Sequence, residues 1–264
     1  MPKQKGVIKI KGTLNGICYY SLKGEHLLRK AAGPSMERIQ TDPAFANLKS
    51  NMQEFGAASK LSKAIRTGFF EIAMQFKDSH MASRLSGLCR KIIQKGNGSP
   101  GQRDASLAND PKAFIGFQLN KNTMFHQVYK ANPIVTSSEN RDVITISILE
   151  SNTAHLNKLP KKATHFQLTS ALSLVSKYKC YSNKKAYYPV ALKQNALGIS
   201  QKTGPLACNI EHKNLQIQLK TPVTSKLSSN IDITVWLGIQ YLKQEGSQFH
   251  ALQTYKAMQC IALL

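Results

Sequence analysis

The stretch VIKIKGTLNGICYYSLKGEHLLRK, from Val7 to Lys30, carries the most legible local pattern in the chain. Asn15-Gly16 and Lys23-Gly24 interrupt runs rich in β-branched and aromatic residues. Asn-Gly is a strong two-residue hairpin signal, because both central positions of a type I′ turn need positive φ. The spacing therefore predicts three short antiparallel strands in a meander, Val7–Leu14, Ile17–Leu22 and Glu25–Lys30. In the first strand the period of two sets Ile8 and Ile10 against Lys9 and Lys11, with Lys5 on the cationic side. Gly12 inside that strand marks a bulge or a close approach of backbone.

Moving outward, Asp42-Pro43 is a helix start: Asp caps orphan N–H groups, and Pro fits the first turn, where its missing N–H costs nothing. From there Phe45, Leu48, Met52, Phe55, Ala58, Ser62, Ile65, Phe69, Ile72 and Phe76 recur at steps of three and four. This apolar stripe needs a partner. The next helix, from about Asp78 to Gly96, supplies one through Met81, Leu85, Leu88 and Ile92. Gly56 and Gly68 are the weak points of the first helix, where a break or close crossing is expected. The outer wall of the predicted hairpin is basic, with Lys60, Lys63, Arg66 and Lys77 on one helix and Arg84, Lys91 and Lys95 on the other.

Residues 96–111 read as a linker. Gly96 to Gly101 spells G-x-G-x-x-G, but it follows a helix and lacks the strand-turn-helix setting a dinucleotide fingerprint requires. Residues 1–103 thus form a meander with a basic helical hairpin, and 104–123 a connection with one helical turn behind Asp110-Pro111. Over 124–264 the pattern changes to period two. Strands are predicted at Met124–Tyr129, Val143–Leu149, Thr164–Ser176, Ala186–Leu192, Leu215–Thr221, Ile231–Leu242 and Phe249–Leu263. Turn-rich stretches separate them at Ala131–Asp142, Gly198–Gly204 and Gln244–Gln248. The fold class expected is α+β, with the second half an antiparallel β-sandwich of immunoglobulin or fibronectin-like architecture. Trp236, the only tryptophan, lies in its most apolar strand.

The chain of 264 residues has 36 Lys and Arg against 14 Asp and Glu, a formal charge of +22. Its 42% hydrophobic content is that of a folded domain, so the charge sits on a folded surface. No stretch approaches the roughly 18 apolar residues of a membrane span, and the start lacks the apolar core of a signal peptide. A cytoplasmic protein without a membrane span is expected. Cys18, Cys89, Cys180, Cys208 and Cys260 are odd in number and widely spaced, so reduced and mostly buried thiols are expected rather than a disulfide framework or zinc knuckle. The seven histidines form no His-x-x-x-His, the carboxylates form no acid/base pair, and there is no nucleophile elbow or Walker loop. No catalytic residue, metal site or cofactor is predicted, and the chain reads as non-enzymatic.

Acid depletion is the informative part of the charge. A lysine-rich coat is also what a biased composition yields, but that bias would raise Glu as well, and only eight are present. Six of the seven arginines lie between Arg29 and Arg103. Arginine makes forked contacts with phosphate, where lysine is a point charge. The candidate polyanion-binding residues are therefore Lys5, Lys9, Lys11, Arg29, Lys60, Lys63, Arg66, Arg84, Lys91, Lys95 and Arg103. A second basic-aromatic stretch contains Lys177, Tyr178, Lys179, Tyr181, Lys184 and Lys185. Aromatic faces beside cations suit stacking on single-stranded bases; a loop carrying edge tyrosines is the alternative.

Lys11-Gly12-Thr13-Leu14-Asn15-Gly16, Tyr19-Tyr20, Lys23-Gly24, Asp42-Pro43-Ala44-Phe45-Ala46, Glu54-Phe55-Gly56, Ala57-Ala58-Ser59-Lys60, Arg66 and Gly101-Gln102-Arg103 resemble a family of uncharacterised proteins of similar length from Bacteroidota. The resemblance covers residues 5–103 and implies a meander, a helical hairpin and a sandwich. It transfers no catalytic residues. The expected function is binding of nucleic acid, another polyanion or an acidic protein surface through the N-terminal half. The alternative is a structural subunit of an oligomeric, phage-like or surface assembly built on the sandwich, with the long stripe packed between chains as a homo-oligomer contact.

Overall fold

The computed structural model describes residues 2–31, 33–181 and 186–264. The chain divides into two compact units, Met1–Lys49 and Ser50–Leu264. In the first, β1 (Gly12–Leu14), β2 (Ile17–Leu22) and β3 (Glu25–Lys30) form the predicted antiparallel meander. Asn15 and Gly16 take φ of 47° and 74°, and Lys23 and Gly24 take 52° and 83°, so both turns have the backbone their sequences predict. A short helix, α1 (Met36–Thr41), follows, capped by the Ser35 hydroxyl.

The first strand is shorter than its sequence predicts. It begins at Gly12, whose φ of 118° bends the chain out of the ladder. Residues 2–4 instead run beside β3, with the Gln4 N–H donating to His26 O at 2.9 Å and the Leu28 N–H to Pro2 O at 3.0 Å. Residues 5–11 lie outside the strands, so Ile8 and Ile10 do not form a sheet face opposed to Lys9 and Lys11.

Asp42 caps as predicted, accepting from the Ala44 N–H at 2.9 Å, and one 3-10 turn leads into α2 (Ala46–Gly68). Beyond Gly68 come α3 (Phe70–Phe76) and α4 (Met81–Ile93). The break is at Gly68, where the helix meets β-structure at backbone distance, and Phe69 leaves helical geometry at φ −137°. Ala58, Ser62, Ile65, Phe69, Ile72 and Phe76 are buried, in keeping with the stripe. Its first third is not: Leu48, Met52 and Phe55 are exposed, and Glu54 is buried in their stead. The partner of the stripe is also broader than a second helix. Leu61, Ile65, Phe69 and Phe76 share one core with Met81, Leu85, Cys89 and Ile92 of α4 and with Ala171, Val175, Trp236 and Met258 from the sheet. The helical residues from Ser50 onward belong to the larger unit, together with that sheet.

The remaining elements are α5 (Pro111–Phe114), α6 (Phe125–Val128), β4 (Ile134–Ser137), β5 (Val143–Ser151), β6 (His165–Ser176), β7 (Tyr178–Tyr181), β8 (Ala186–Pro189), β9 (Leu197–Lys202), β10 (Leu206–Ala207), β11 (His212–Lys220), β12 (Ile231–Glu245), β13 (Gln248–Ala251) and β14 (Ala257–Leu263). A six-stranded sheet is built on the long antiparallel pair β6–β12, flanked by β9 and β10 on one side and β13 and β14 on the other. A three-stranded sheet has the order β11-β5-β4, and β7 pairs with β8. Alternation along β6 and β12 gives the large sheet two apolar faces. Ala171, Val175 and Trp236 face the helices, whereas Leu172, Leu174, Ile233, Val235 and Leu237 share a second core with Ile144, Ile146, Ile217 and Leu219 of the three-stranded sheet. The fold is α+β, its two cores lying on opposite faces of one sheet.

Several predicted boundaries move. Met124–Tyr129 is a helical turn and not a strand: Phe125 and Val128, three apart, are both buried, a spacing that period two does not distinguish over so short a run. Gly198–Gly204 belongs mostly to β9, because Gly198 serves a close backbone approach and not a turn. Ile134–Ser137, inside a predicted turn region, pairs with β5. Phe249–Leu263 is interrupted between β13 and β14.

Candidate nucleic-acid interface

On α2 the buried positions Ala57, Ala58, Leu61, Ala64 and Ile65 leave Lys60 and Lys63 exposed on the outer side. Strand β7 pairs with β8 in a register that places Lys179 opposite Tyr188 and Cys180 opposite Tyr187. Alternation then buries Tyr178 and Tyr187 in the helix-side core and turns Lys179, Tyr181 and Tyr188 outward. The Tyr181 and Tyr188 rings meet edge to face at 6.2 Å between centroids.

Tertiary structure joins these two elements. The Lys60 ammonium donates to Tyr187 O at 2.7 Å and stands 5.0 Å from the centroid of the Tyr188 ring. A cleft of about 150 Å³ beside it is lined by Met52, Gly56, Lys60, Ala186 and Tyr187. Lys60 of the helix wall and Tyr187 and Tyr188 of the Lys/Tyr stretch, which the sequence marks separately, thus meet on one surface. The stretch that the sequence marks extends to Tyr187 and Tyr188, and the strand pairing shows which of its tyrosines face outward. Lys184 and Lys185 lie outside the described residues.

The hairpin is held from below. The Tyr187 hydroxyl donates to Arg103 O at 2.9 Å, and burial, followed by the nearby Cys180, Glu54 and Asp104, pushes its pKa upward, so it remains a donor. Arg103 Nη1 donates to Glu54 Oε1 at 2.8 Å, and the Gly101 N–H donates to the same oxygen at 2.9 Å. Glu54 is 2% exposed. The carboxylate inside an apolar helix face thereby fixes the Gly101–Arg103 turn under Tyr187.

Other candidate residues have different employment. Arg84 donates to Asp78 Oδ2 at 2.7 Å, Gln118 O at 3.0 Å and Leu119 O at 3.1 Å, and its guanidinium lies 5.1 Å from the Phe117 ring centroid. It ties α4 to the chain below and is not a surface cation. Arg103 is likewise committed to Glu54. Lys95 pairs with Asp110 at 2.5 Å and Lys177 with Asp104 at 2.6 Å. Arg66 donates to Ser62 O within its own helix, and Lys91 is exposed on α4. Tyr178 is a core residue whose hydroxyl accepts from Asn195 at 2.8 Å. In the smaller unit Lys5, Lys9 and Lys11 are exposed, Lys9 bonding Gln4 O, and Arg29 lies 5.7 Å from the Tyr20 ring centroid. Among the described residues eight lysines and arginines form ion pairs with carboxylates.

Two larger clefts have volumes of about 480 and 490 Å³. The first is lined by Asn140, Asp142, Lys220, Thr224 and Lys226; the Ser138 hydroxyl, 2.6 Å from Asp142, holds that carboxyl below its usual range as an ionised group. The second brings Thr164, His165 and Cys208 together, but burial pushes the Cys208 thiol up to about 11, the opposite of an activated nucleophile. Among the described residues no helix is long and apolar enough to cross a membrane.

No protein family matches the chain, and no curated protein matches it either. Among solved structures it is similar to the β-glucuronidase of Parabacteroides merdae in two crystal structures, one with glycerol in the active site, at 13% identity and TM-scores of 0.22 and 0.21. The alignment covers 51% of this chain and only 13% of the glucuronidase, and at those scores it carries no conclusion about fold or activity.

Proposed function

We propose that the chain is a non-enzymatic binding protein for single-stranded nucleic acid, using Lys60, Lys63, Lys179, Tyr181 and Tyr188. The observation that carries this reading is the Lys60 ammonium lying 5.0 Å from the ring of Tyr188, which itself meets Tyr181 at 6.2 Å. Cations and exposed aromatic faces from two distant parts of the chain share one surface. Stacking on such rings contributes about 1–3 kcal/mol per base and tolerates any sequence. One N–H of Lys60 is used by Tyr187 O; an ammonium has others for phosphate.

The test is fluorescence anisotropy of labelled oligo-dT and oligo-U against salt. Three lysines on single-stranded phosphates predict a log–log salt slope of about −2. Tyr181→Ala with Tyr188→Ala should weaken binding by tenfold or more at every salt concentration, by roughly 1.4 kcal/mol or above. Salt-independent binding, or equal affinity in the double variant, overturns the reading.

The alternative, a structural subunit, has one observation in its favour: Leu48, Met52 and Phe55 form an exposed apolar stripe on α2. It also draws on our reading of the two facing sheets, with their common core of Leu172, Val235, Ile146 and Ile217, as a sandwich of immunoglobulin-like architecture. Light scattering separates the two functions, a concentration-independent monomer counting against the subunit.

A further inference from the structure

We infer that the loop between Gln4 and Ile10 is an interfacial anchor for anionic phospholipid bilayers. The loop is closed at its base by the Gln4 side chain, with the Lys9 ammonium donating to Gln4 O. The Gln4 amide donates from Nε2 to Ile10 O at 3.2 Å and accepts from the Ile10 N–H through Oε1 at 2.9 Å, acting as a strand would. Its backbone is fixed to β3 by the bond to His26 O. The five residues in between, Lys5 to Lys9, project from this clasp with Val7 and Ile8 at the tip.

The tip is unlike the other apolar residues on the surface. Val7 is 100% exposed and Ile8 82%, against at most 71% for any other large apolar side chain described. Adjacent aliphatic side chains held in water on a closed loop gain from insertion into the acyl boundary of a bilayer. Lys5 and Lys11 flank the tip as exposed cations that can reach the headgroup layer while their stems lie along it, and Lys9 adds its charge at the base, where its ammonium donates to Gln4 O. That charge selects an anionic leaflet, whose negative potential attracts each lysine near the surface. Nucleic acid fits the lysines but offers nothing to Val7 and Ile8, so phosphate alone does not account for the tip. The proposal uses none of the residues around Lys60, which belong to the other unit.

The full chain is sedimented with vesicles of phosphatidylcholine alone and of phosphatidylcholine with about 30% phosphatidylserine, at an ionic strength of about 0.1 M. Partition onto the anionic vesicles should exceed that onto neutral ones at least about tenfold, and V7N/I8N should lower it at least about fivefold without changing oligonucleotide affinity. Both substituted side chains are exposed, so folding is unaffected. If V7N/I8N partitions as the unmodified chain does, the overall +22 charge suffices and the anchor is refuted. A second readout is Ile8→Trp with brominated lipids. The native Trp236 is fully buried and should not be quenched, whereas the tip tryptophan should be. An unquenched tip, or no vesicle binding at all, overturns the proposal.

Discussion

A Cβ atom added to Gly198 of β9 would stand 2.3 Å from the carbonyl oxygen of Gly68 at the end of α2, and one added to Gly68 would stand 2.2 Å from Ser173 Oγ and 2.8 Å from Leu197 O. Helix and sheet meet there at backbone distance, which only two glycines allow. Gly198→Ala should therefore destabilise the chain by about 1–3 kcal/mol or more, since the obstructing atoms are backbone and cannot rotate away. Gly56→Ala is the control: nothing lies within 4 Å, and the helix should gain up to about 1 kcal/mol. Urea denaturation of both variants measures the difference.

Arg84 closes α4 onto the segment Gln118–Leu119. Arg84→Met should cost about 2–4 kcal/mol, because Asp78 and two carbonyls lose a forked donor in a partly buried setting. Lys63→Ala should change stability by less than about 0.5 kcal/mol, as expected of an exposed side chain.

Asp78 also sets a pH dependence. Burial alone would raise its carboxyl, but the N–H groups of Lys121 and His80, then Arg84, outweigh it and hold it below the usual range. A depressed folded-state pKa contributes stability that is present above the unfolded value of about 4 and lost as pH falls through the folded one. The stability gap between the native chain and Asp78→Asn should therefore narrow on acidification below about pH 4.

Asp232 has the opposite sign. Burial pushes its carboxyl upward, against the Ser106 hydroxyl and the Leu107 N–H, each 2.9 Å from Oδ2. A raised folded-state pKa means the fold holds the proton more tightly, so stability is gained as pH falls from neutral toward the unfolded value of about 4. Relative to Asp232→Asn, the native chain should gain stability between pH 7 and 4.5, the reverse of the Asp78 comparison. Paired urea titrations at those two pH values give the sign directly.

The thiols should divide into two classes. Cys89, Cys208 and Cys260 are buried, and burial raises all three, Cys89 to about 12. Cys18 and Cys180 are half-buried. A thiol-reactive dye at pH 8 should label Cys18 and, more slowly because burial raises its thiol too, Cys180 in the folded chain, and all five thiols in denaturant. Rapid labelling of Cys89 under native conditions would contradict the packing of α4.

How much of this was legible depends on the range of the interactions involved. The β2–β3 hairpin, the Asp42 cap and the long strands around Leu168 and Trp236 could be read directly. Turn chemistry at Asn15-Gly16, capping geometry and sustained alternation are properties of adjacent residues. The helical turn at Phe125 and the strand at Leu197 were not legible, because four to six residues carry too few periods to separate one geometry from another. Gly198 illustrates the difficulty: a glycine in a polar stretch has the composition of a turn, and its use as a helix contact depends on a residue 130 positions away.

The candidate interface divides in the same way. Composition marked residues 60–66 and 177–188 as basic, and local pattern placed Lys60 and Lys63 outside their helix. Sequence by itself thus determined the secondary elements with strong local signals, the excess of cations and the want of a catalytic motif. Which cations remain for a partner was decided only by tertiary structure: Arg84 and Arg103 are held by Asp78 and Glu54, while Lys60 is set beside Tyr188. The physical reason is that charge and periodicity belong to single residues and their neighbours. A pairing such as Lys60 with Tyr188 exists only once the apolar faces of α2, β7 and β8 have been buried in a common core.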